Sequence, residues 1–552
     1  MKRQRIRRAL ADVDRWDDEH LVGQLFSVAS GGHAAKDIMG FGTVDPERAH
    51  ALLLEDIRRY HLGGIVYFPP GGEHEPVARI RESLLALQAA AEVPLLIATD
   101  QENGTVARVR NGATHLPGAM ALGATGDPQL WQGTAAASAQ ELRAVGIVQT
   151  YAPVADLNVT SENPSIGIRS AGADTGAACR QLDTVVRALR DNGVAPTLKH
   201  FPGYGTAATD PHLGLPSIPL GRQEWIRGER RVFAAGIRAG ADAVMIAHIL
   251  FPAVDPDHPA TFSPTILRTE LRDRLGFEGV LVTDAMDMGG AAHPDGPAEA
   301  CVAALAAGAD QILMPASLPD AYGAVLRAVR DGRLDRDELR RSARRILTLK
   351  SRYGLDDPVM PDLSVCNSEG HRDLARRAAN ASLAWRDASL ARPLEDEGGA
   401  VLLVDPGPDP VRRGADPATV IAPLLRRTGR EVVVVSWEEV GARDEGADAL
   451  AAPRGTTDAI VVLRDAWKED LPVTRVLREL TDRGLDVRVL ITRSPHDATL
   501  VPRAHPVLLT YGDNEFALTA AGEVLSGRRA ATGGLPMPVR DLEATREEVE
   551  QR

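Results

Sequence analysis

Short apolar runs alternate with amphipathic helical stretches through the first two thirds of the chain. The runs are 64–68 (GIVYF), 95–98 (LLIA), 147–151 (IVQTY), 196–198 (PTL), 243–247 (AVMIA), 280–283 (VLVT) and 311–314 (QILM). Runs this short and rich in branched residues suit strands buried on both faces. Helical patterns such as 78–91 and 264–275 lie between them. Strand and helix alternating over roughly 300 residues predicts a parallel α/β fold. Seven strands are readable, and an eighth is required to close a barrel.

Most of these runs end in polar residues: Asp100-Gln101-Glu102, Asp156-Leu157-Asn158, Lys199-His200, His248 and Asp284. In a (β/α)8 barrel the strand C-termini converge on one mouth, where active sites are built. An open doubly wound sheet would spread them along an edge, and no glycine fingerprint follows a first strand. The expected fold is therefore an N-terminal (β/α)8 TIM-like barrel, residues 1–353. A proline- and aspartate-bearing linker, 354–370, follows, and then a C-terminal α/β sandwich domain, residues 371–552. The second domain is announced by a new series of runs at 400–404, 432–435, 459–463, 487–491 and 507–510.

Composition narrows the class. The chain has 552 residues, 44% hydrophobic and 25% charged, which excludes wholesale disorder. A formal net charge of −13 argues against a nucleic-acid partner. Three widely spaced cysteines offer neither a disulfide framework nor a zinc spacing. No metal and no cofactor are expected. The basic start, Met1 to Arg8, is followed by acidic residues rather than an apolar core, so it reads as a frayed tail and not as a signal peptide. No stretch reads as a membrane span, and a cytoplasmic location is expected. The oligomeric state is not readable.

Candidate chemistry concentrates in residues 199–216, KHFPGYGTAATDPHLGLP. Such a density of polar groups in a shaped loop after an apolar run points to a ligand. Asp284 ends a strand, where a fixed carboxylate is well placed to attack an anomeric carbon. Asp287 is a competitor in the loop beyond. His212 is the natural acid/base, since its ordinary pKa lies near neutrality, and Asp210 is close enough to orient its ring. Asp100, Arg108, Arg169, Lys199 and His200 form a candidate set for holding sugar hydroxyls through charge-assisted hydrogen bonds.

These residues carry a resemblance to glycoside hydrolase family 3, most closely its bacterial β-N-acetylglucosaminidase branch. Lys199 to Pro216 match the family's Lys-His-Phe-Pro-Gly-His-Gly, spacer, Asp-Ser/Thr-His, Leu-Pro pattern. The segments around 100–102, 166–170, 247–263 and 276–286 match further blocks in order, over about residues 20–350. The resemblance implies a retaining exo-glycosidase with Asp284 as nucleophile and His212, assisted by Asp210, as acid/base. It also implies a sugar bound by Asp100, Arg108, Arg169, Lys199 and His200. The partner would be a small carbohydrate or glycoconjugate. Tyr204 stands where the family usually has His, and Pro211 where it has Ser or Thr. A histidine is neutral after giving up its proton and does not repel an anionic acceptor, so a phosphorylase stands beside the hydrolase reading. A β-glucosidase and a catalytically silent sugar-binding protein on the same fold complete the alternatives.

Overall fold

A computed structural model describes residues 4–30, 45–69, 75–160, 163–207, 209, 214–395, 398–407, 414–441, 455–468 and 471–538. Its first half is a barrel of eight parallel strands: β1 (Phe26–Ala29), β2 (Gly64–Tyr67), β3 (Leu96–Thr99), β4 (Gln149–Thr150), β5 (Ala195–Phe201), β6 (Ala243–Ile246), β7 (Val280–Thr283) and β8 (Ile312–Leu313). The hydrogen-bonded order runs β8-β1-β2-β3-β4-β5-β6-β7. A parallel bridge between Val282 and Gln311 brings the two ends together. Seven of these strands coincide with the apolar runs; the eighth is β1.

The strands are short because each crosses only the barrel wall. Val66, Ala98, Met245, Val282 and Leu313 point inward and fill the interior beneath the mouth. Helices return the chain outside. Asp127 caps the helix Pro128–Val145 by accepting the N–H of Gln129, with the proline in the first turn, where its missing donor costs nothing. The expected helix at 264–275 is present as Thr265–Arg274, with the wider i to i+5 hydrogen bonding of a π-helix.

From Arg5 onward the basic N-terminal segment is not a frayed tail. Residues Arg5–Asp12 form a helix whose Ile6 is fully buried, and the Ile6 N–H donates to Asp356 at 2.7 Å. An apolar stripe packed on the barrel wins over the charges of the opposite face.

The chain then runs along the outside of the barrel. Arg143 Nη2 donates to the Val359 carbonyl and Arg81 Nη1 to that of Pro361. Helix Glu369–Ser382 leads into a second sheet: β9 (Ala384–Trp385), β10 (Ala400–Asp405), β11 (Val432–Ser436), β12 (Thr456–Leu463), β13 (Asp486–Ile491) and β14 (Val507–Leu509). Its order is β9-β14-β13-β12-β10-β11, parallel except for the antiparallel edge strand β9. Both faces are covered. Val401 and Leu403 pack with helices Pro417–Arg426 and Glu515–Leu525, while Leu402 and Val404 join a cluster that includes Met120 and Ile168 from the barrel. No helix among the described residues is long and apolar enough to cross a membrane.

Candidate active site

The strand C-termini deliver their polar groups to one mouth. Lys199, at the end of β5, is the hub. Its Nζ lies 2.7 Å from Asp100 Oδ1 and 2.6 Å from Glu102 Oε1, both from the loop after β3. Arg169, in the loop after β4, clasps the same Glu102 with two parallel bonds of 2.8 Å, from Nε and Nη2. A fork against a carboxylate of this kind is strong and directional. Burial works against all of these charges, and each partner overcomes it. Glu102 is held well below the usual carboxylate range by Arg169 and Lys199, and Lys199 is raised by Asp100 and Glu102.

His200 is set by a second carboxylate. Its Nδ1 lies 2.7 Å from Asp156 Oδ2, which also accepts the His200 N–H at 3.1 Å. The other Asp156 oxygen accepts the Tyr204 N–H at 3.0 Å. Asp156 therefore fixes both the imidazole and the loop that follows it. Tyr204 is buried, and its ring meets the His200 ring edge-on with centroids 4.8 Å apart. Burial, reinforced by Asp156 and Asp284 and only partly offset by Arg169, lifts its phenol far above the ordinary range. Tyr204 thus serves as a neutral hydrogen-bonding group.

Beneath this loop lies Glu229, at the start of helix Glu229–Ala239. Its Oε1 accepts the Gly205 N–H at 2.9 Å and the Leu157 N–H at 3.5 Å. The approach is so close that only glycine fits above it. A Cβ on Gly203, whose φ is 108°, would lie 2.2 Å from Glu229 Oε2, and one on Gly205 would lie 1.8 Å from the Leu157 carbonyl oxygen. Burial, then Asp156, pushes the Glu229 carboxyl up to about 8.

Asp284 follows β7 and is half-buried. Its N–H donates to the Ile246 carbonyl, and its Oδ1 accepts the Ala285 N–H at 2.8 Å. Burial alone would raise this carboxyl. His200, His248, the Ala285 N–H and Lys199 outweigh it and hold the group below its ordinary value. His248 is pinned between Thr261 Oγ1 at 2.7 Å and the Ala285 carbonyl at 3.0 Å, and burial, partly offset by Asp284, lowers its own pKa. The arrangement favours the charged form of the carboxylate, the form that attack on an electrophilic carbon needs.

Asp100, Lys199, His200, Arg169 and Asp284 thus converge. Arg108 stands to one side, with its guanidinium 4.8 Å over the Phe68 ring and its Nε buried without a partner. Asp210, Pro211 and His212 lie outside the described residues. Sequence reasoning assigned no role to Glu102, Asp156, His248 or Glu229. The first three were visible as polar groups ending apolar runs; Glu229 had no signal beyond that of any acidic residue opening a helix.

Comparison with known proteins shows the family of the barrel. Residues 19–349 match the model of the glycosyl hydrolase family 3 N terminal domain. A "Beta-N-acetylglucosaminidase/beta-glucosidase" of Cellulomonas fimi is 29% identical over 96% of this chain and 95% of its own length. A "Beta-hexosaminidase A" of Pseudoalteromonas piscicida is 33% identical over 90% of this chain and 92% of its own. Among solved structures, a family 3 β-N-acetylglucosaminidase from Paenibacillus superposes with a TM-score of 0.82 at 32% identity, over 96% of this chain and 99% of that one. A β-glucoside phosphorylase reaches a TM-score of 0.83 at 24% identity, covering 98% and 97%, and shares the fold. With the match spanning the whole barrel and every convergent side chain in it, the chain belongs to glycosyl hydrolase family 3.

Proposed function

We propose that this protein is a retaining, exo-acting β-N-acetylglucosaminidase. The observation that carries the reading is Asp284, an ionised carboxylate at the barrel mouth amid His200, His248 and Lys199. In the proposed reaction Asp284 attacks C1 of a terminal β-linked N-acetylglucosamine while His212, oriented by Asp210, protonates the leaving oxygen. Water deprotonated by His212 then releases the sugar from the glycosyl-aspartate. Asp100, Lys199, His200, Arg169 and Arg108 hold the sugar, with Glu102 keeping Lys199 and Arg169 in place and Asp156 orienting the His200 ring. The catalytic unit is residues 1–353, joined through 354–370 to a supporting domain, 371–552. The acetamido preference rests on the printed names of the Cellulomonas, Pseudoalteromonas and Paenibacillus relatives. With the cytoplasmic location read from the sequence, soluble peptidoglycan fragments and chitin oligomers are the substrates to try first. A glucoside-cleaving reading is favoured by one observation, the double name of the Cellulomonas relative.

The test is product identification from p-nitrophenyl β-N-acetylglucosaminide and β-glucoside, with and without phosphate. The proposal expects free N-acetylglucosamine from the first, at a rate indifferent to phosphate. Sugar 1-phosphate as the main product makes the enzyme a phosphorylase. A clear preference for the glucoside makes it a glucosidase.

A further inference from the structure

At the opposite rim of the barrel, where the strands begin, three separate segments meet. His20 lies in helix Asp18–Gly23, which leads into β1. His61 precedes β2 and Glu92 precedes β3. One nitrogen from each histidine and a Glu92 carboxylate oxygen all lie within 4.8 Å of one another. Glu92 Oε2 is 3.6 Å from His20 Nε2 and 3.8 Å from His61 Nδ1. These separations are too long for hydrogen bonds. They are close to what two donors on one ion require, since atoms about 2.0–2.1 Å from a tetrahedral zinc lie about 3.4 Å apart.

Further observations favour a cation over a chance cluster. Asp17 Oδ1 lies 2.7 Å from His20 Nδ1 and also accepts the His20 backbone N–H at 2.8 Å. With Nδ1–H donated to this carboxylate, the lone pair sits on Nε2, the atom that faces Glu92. A carboxylate behind a histidine is the arrangement that fixes the tautomer of a metal-bound imidazole. The two rings stack with centroids 3.8 Å apart and planes 25° apart.

We propose that His20, His61 and Glu92 bind one divalent transition-metal ion, Zn2+ being the best match to two imidazoles and a carboxylate, with water completing the coordination. Closing on the ion takes a turn of the His61 ring about its soft terminal torsion. It also takes a swing of Glu92, whose side chain is 72% exposed and free to move. The ligands come from positions 20, 61 and 92, so no local spacing in the sequence could reveal them. The ion would tie together the entries to β1, β2 and β3. Its effect is stabilisation by linkage, because the unfolded chain does not hold the three ligands together.

The full chain, stripped with chelator, is titrated with Zn2+ by calorimetry and with Co2+ by visible absorption. Expected is one equivalent bound with Kd in the order of 10 μM or tighter (about −7 kcal/mol), with Tm rising with Zn2+ concentration. His61→Asn suits the left-handed backbone at this position (φ 50°). It and Glu92→Gln should each weaken binding at least about tenfold while the metal-free Tm stays near that of the parent. Asp17→Asn keeps all three ligands and should also cost about tenfold or more. Millimolar binding, or tight binding that His61→Asn and Glu92→Gln leave unchanged, overturns the proposal.

Discussion

The barrel mouth and the second sheet both bury clusters of arginine and carboxylate, and they use them differently. In the second sheet Asp458 on β12 lies between Arg430 and Arg488, with Arg488 Nη1 2.7 Å from its Oδ1. Arg488 spends its other donors on the carbonyls of Arg392 and Pro393 and on the Asp486 carboxylate, 2.9 Å from its Nη2. Arg386 nearby donates to four more carbonyls, those of Ala498, Val501, Pro502 and His505. These charges are saturated by backbone and by one another, and the result is a stapled sheet. At the mouth Glu102 is saturated in the same way, but Asp100 and Asp284 stay half-buried. Concentrated charge alone therefore does not mark a site. Hydrogen-bonding capacity left over at a cleft, and held in one charge state by neighbours, does.

The sharpest way to break this comparison is to neutralise one carboxylate in each region. Asp284→Asn should lower kcat by on the order of 10^4-fold or more, with a Tm close to that of the parent. Asp458→Asn should do the converse. It leaves buried Arg430 without a counter-charge, while Arg488 keeps Asp486 at 2.9 Å, and breaking a buried pair typically costs about 3–5 kcal/mol. Denaturant melts should show that loss, while kcat per folded molecule at low temperature is unchanged. If Asp458→Asn lowered kcat as strongly as Asp284→Asn, the second sheet would belong to the active site and the distinction would fall.

A smaller effect tests the loop support. The Glu229 carboxyl is pushed up to about 8 in the folded protein by burial and by Asp156, from an ordinary value of 4.5. Between those values the folded state holds a proton that the unfolded chain releases, so this group makes stability fall as pH rises. Glu229→Gln keeps an oxygen for the Gly205 and Leu157 N–H groups and removes the titration. Its Tm should fall less than the parent's between about pH 5 and pH 8. An identical pH slope in the two proteins would show that Glu229 is already ionised in the folded state.

Much of the barrel was legible because burial on both faces demands uninterrupted apolar runs, and seven strands obeyed. Strand β1 did not announce itself. Its sequence, Phe26-Ser27-Val28-Ala29, carries a polar residue and a small one and follows directly on a helix, yet Ser27 is 1% exposed. Packing within the closed ring overrides the weak local preference. The edge strand β9 was unreadable for a different reason, being only two residues long. At the site, the residues that end strands were readable as types and places, but their pairings were not. Arg169 grips Glu102 and Arg108 lies over Phe68, contacts that the sequence pattern did not reveal. Pairing depends on distances between loops that are far apart in sequence, and one chain's pattern does not encode those distances locally.

The central claim is that Asp284 forms a covalent bond to the sugar. It is tested most directly by mass spectrometry after reaction with a slow-turnover 5-fluoro-β-N-acetylglucosaminyl fluoride. The account predicts one sugar per chain, on the peptide that contains Asp284 and at that residue. A label on Asp287, or steady turnover with inversion at C1 and no covalent adduct, would contradict it.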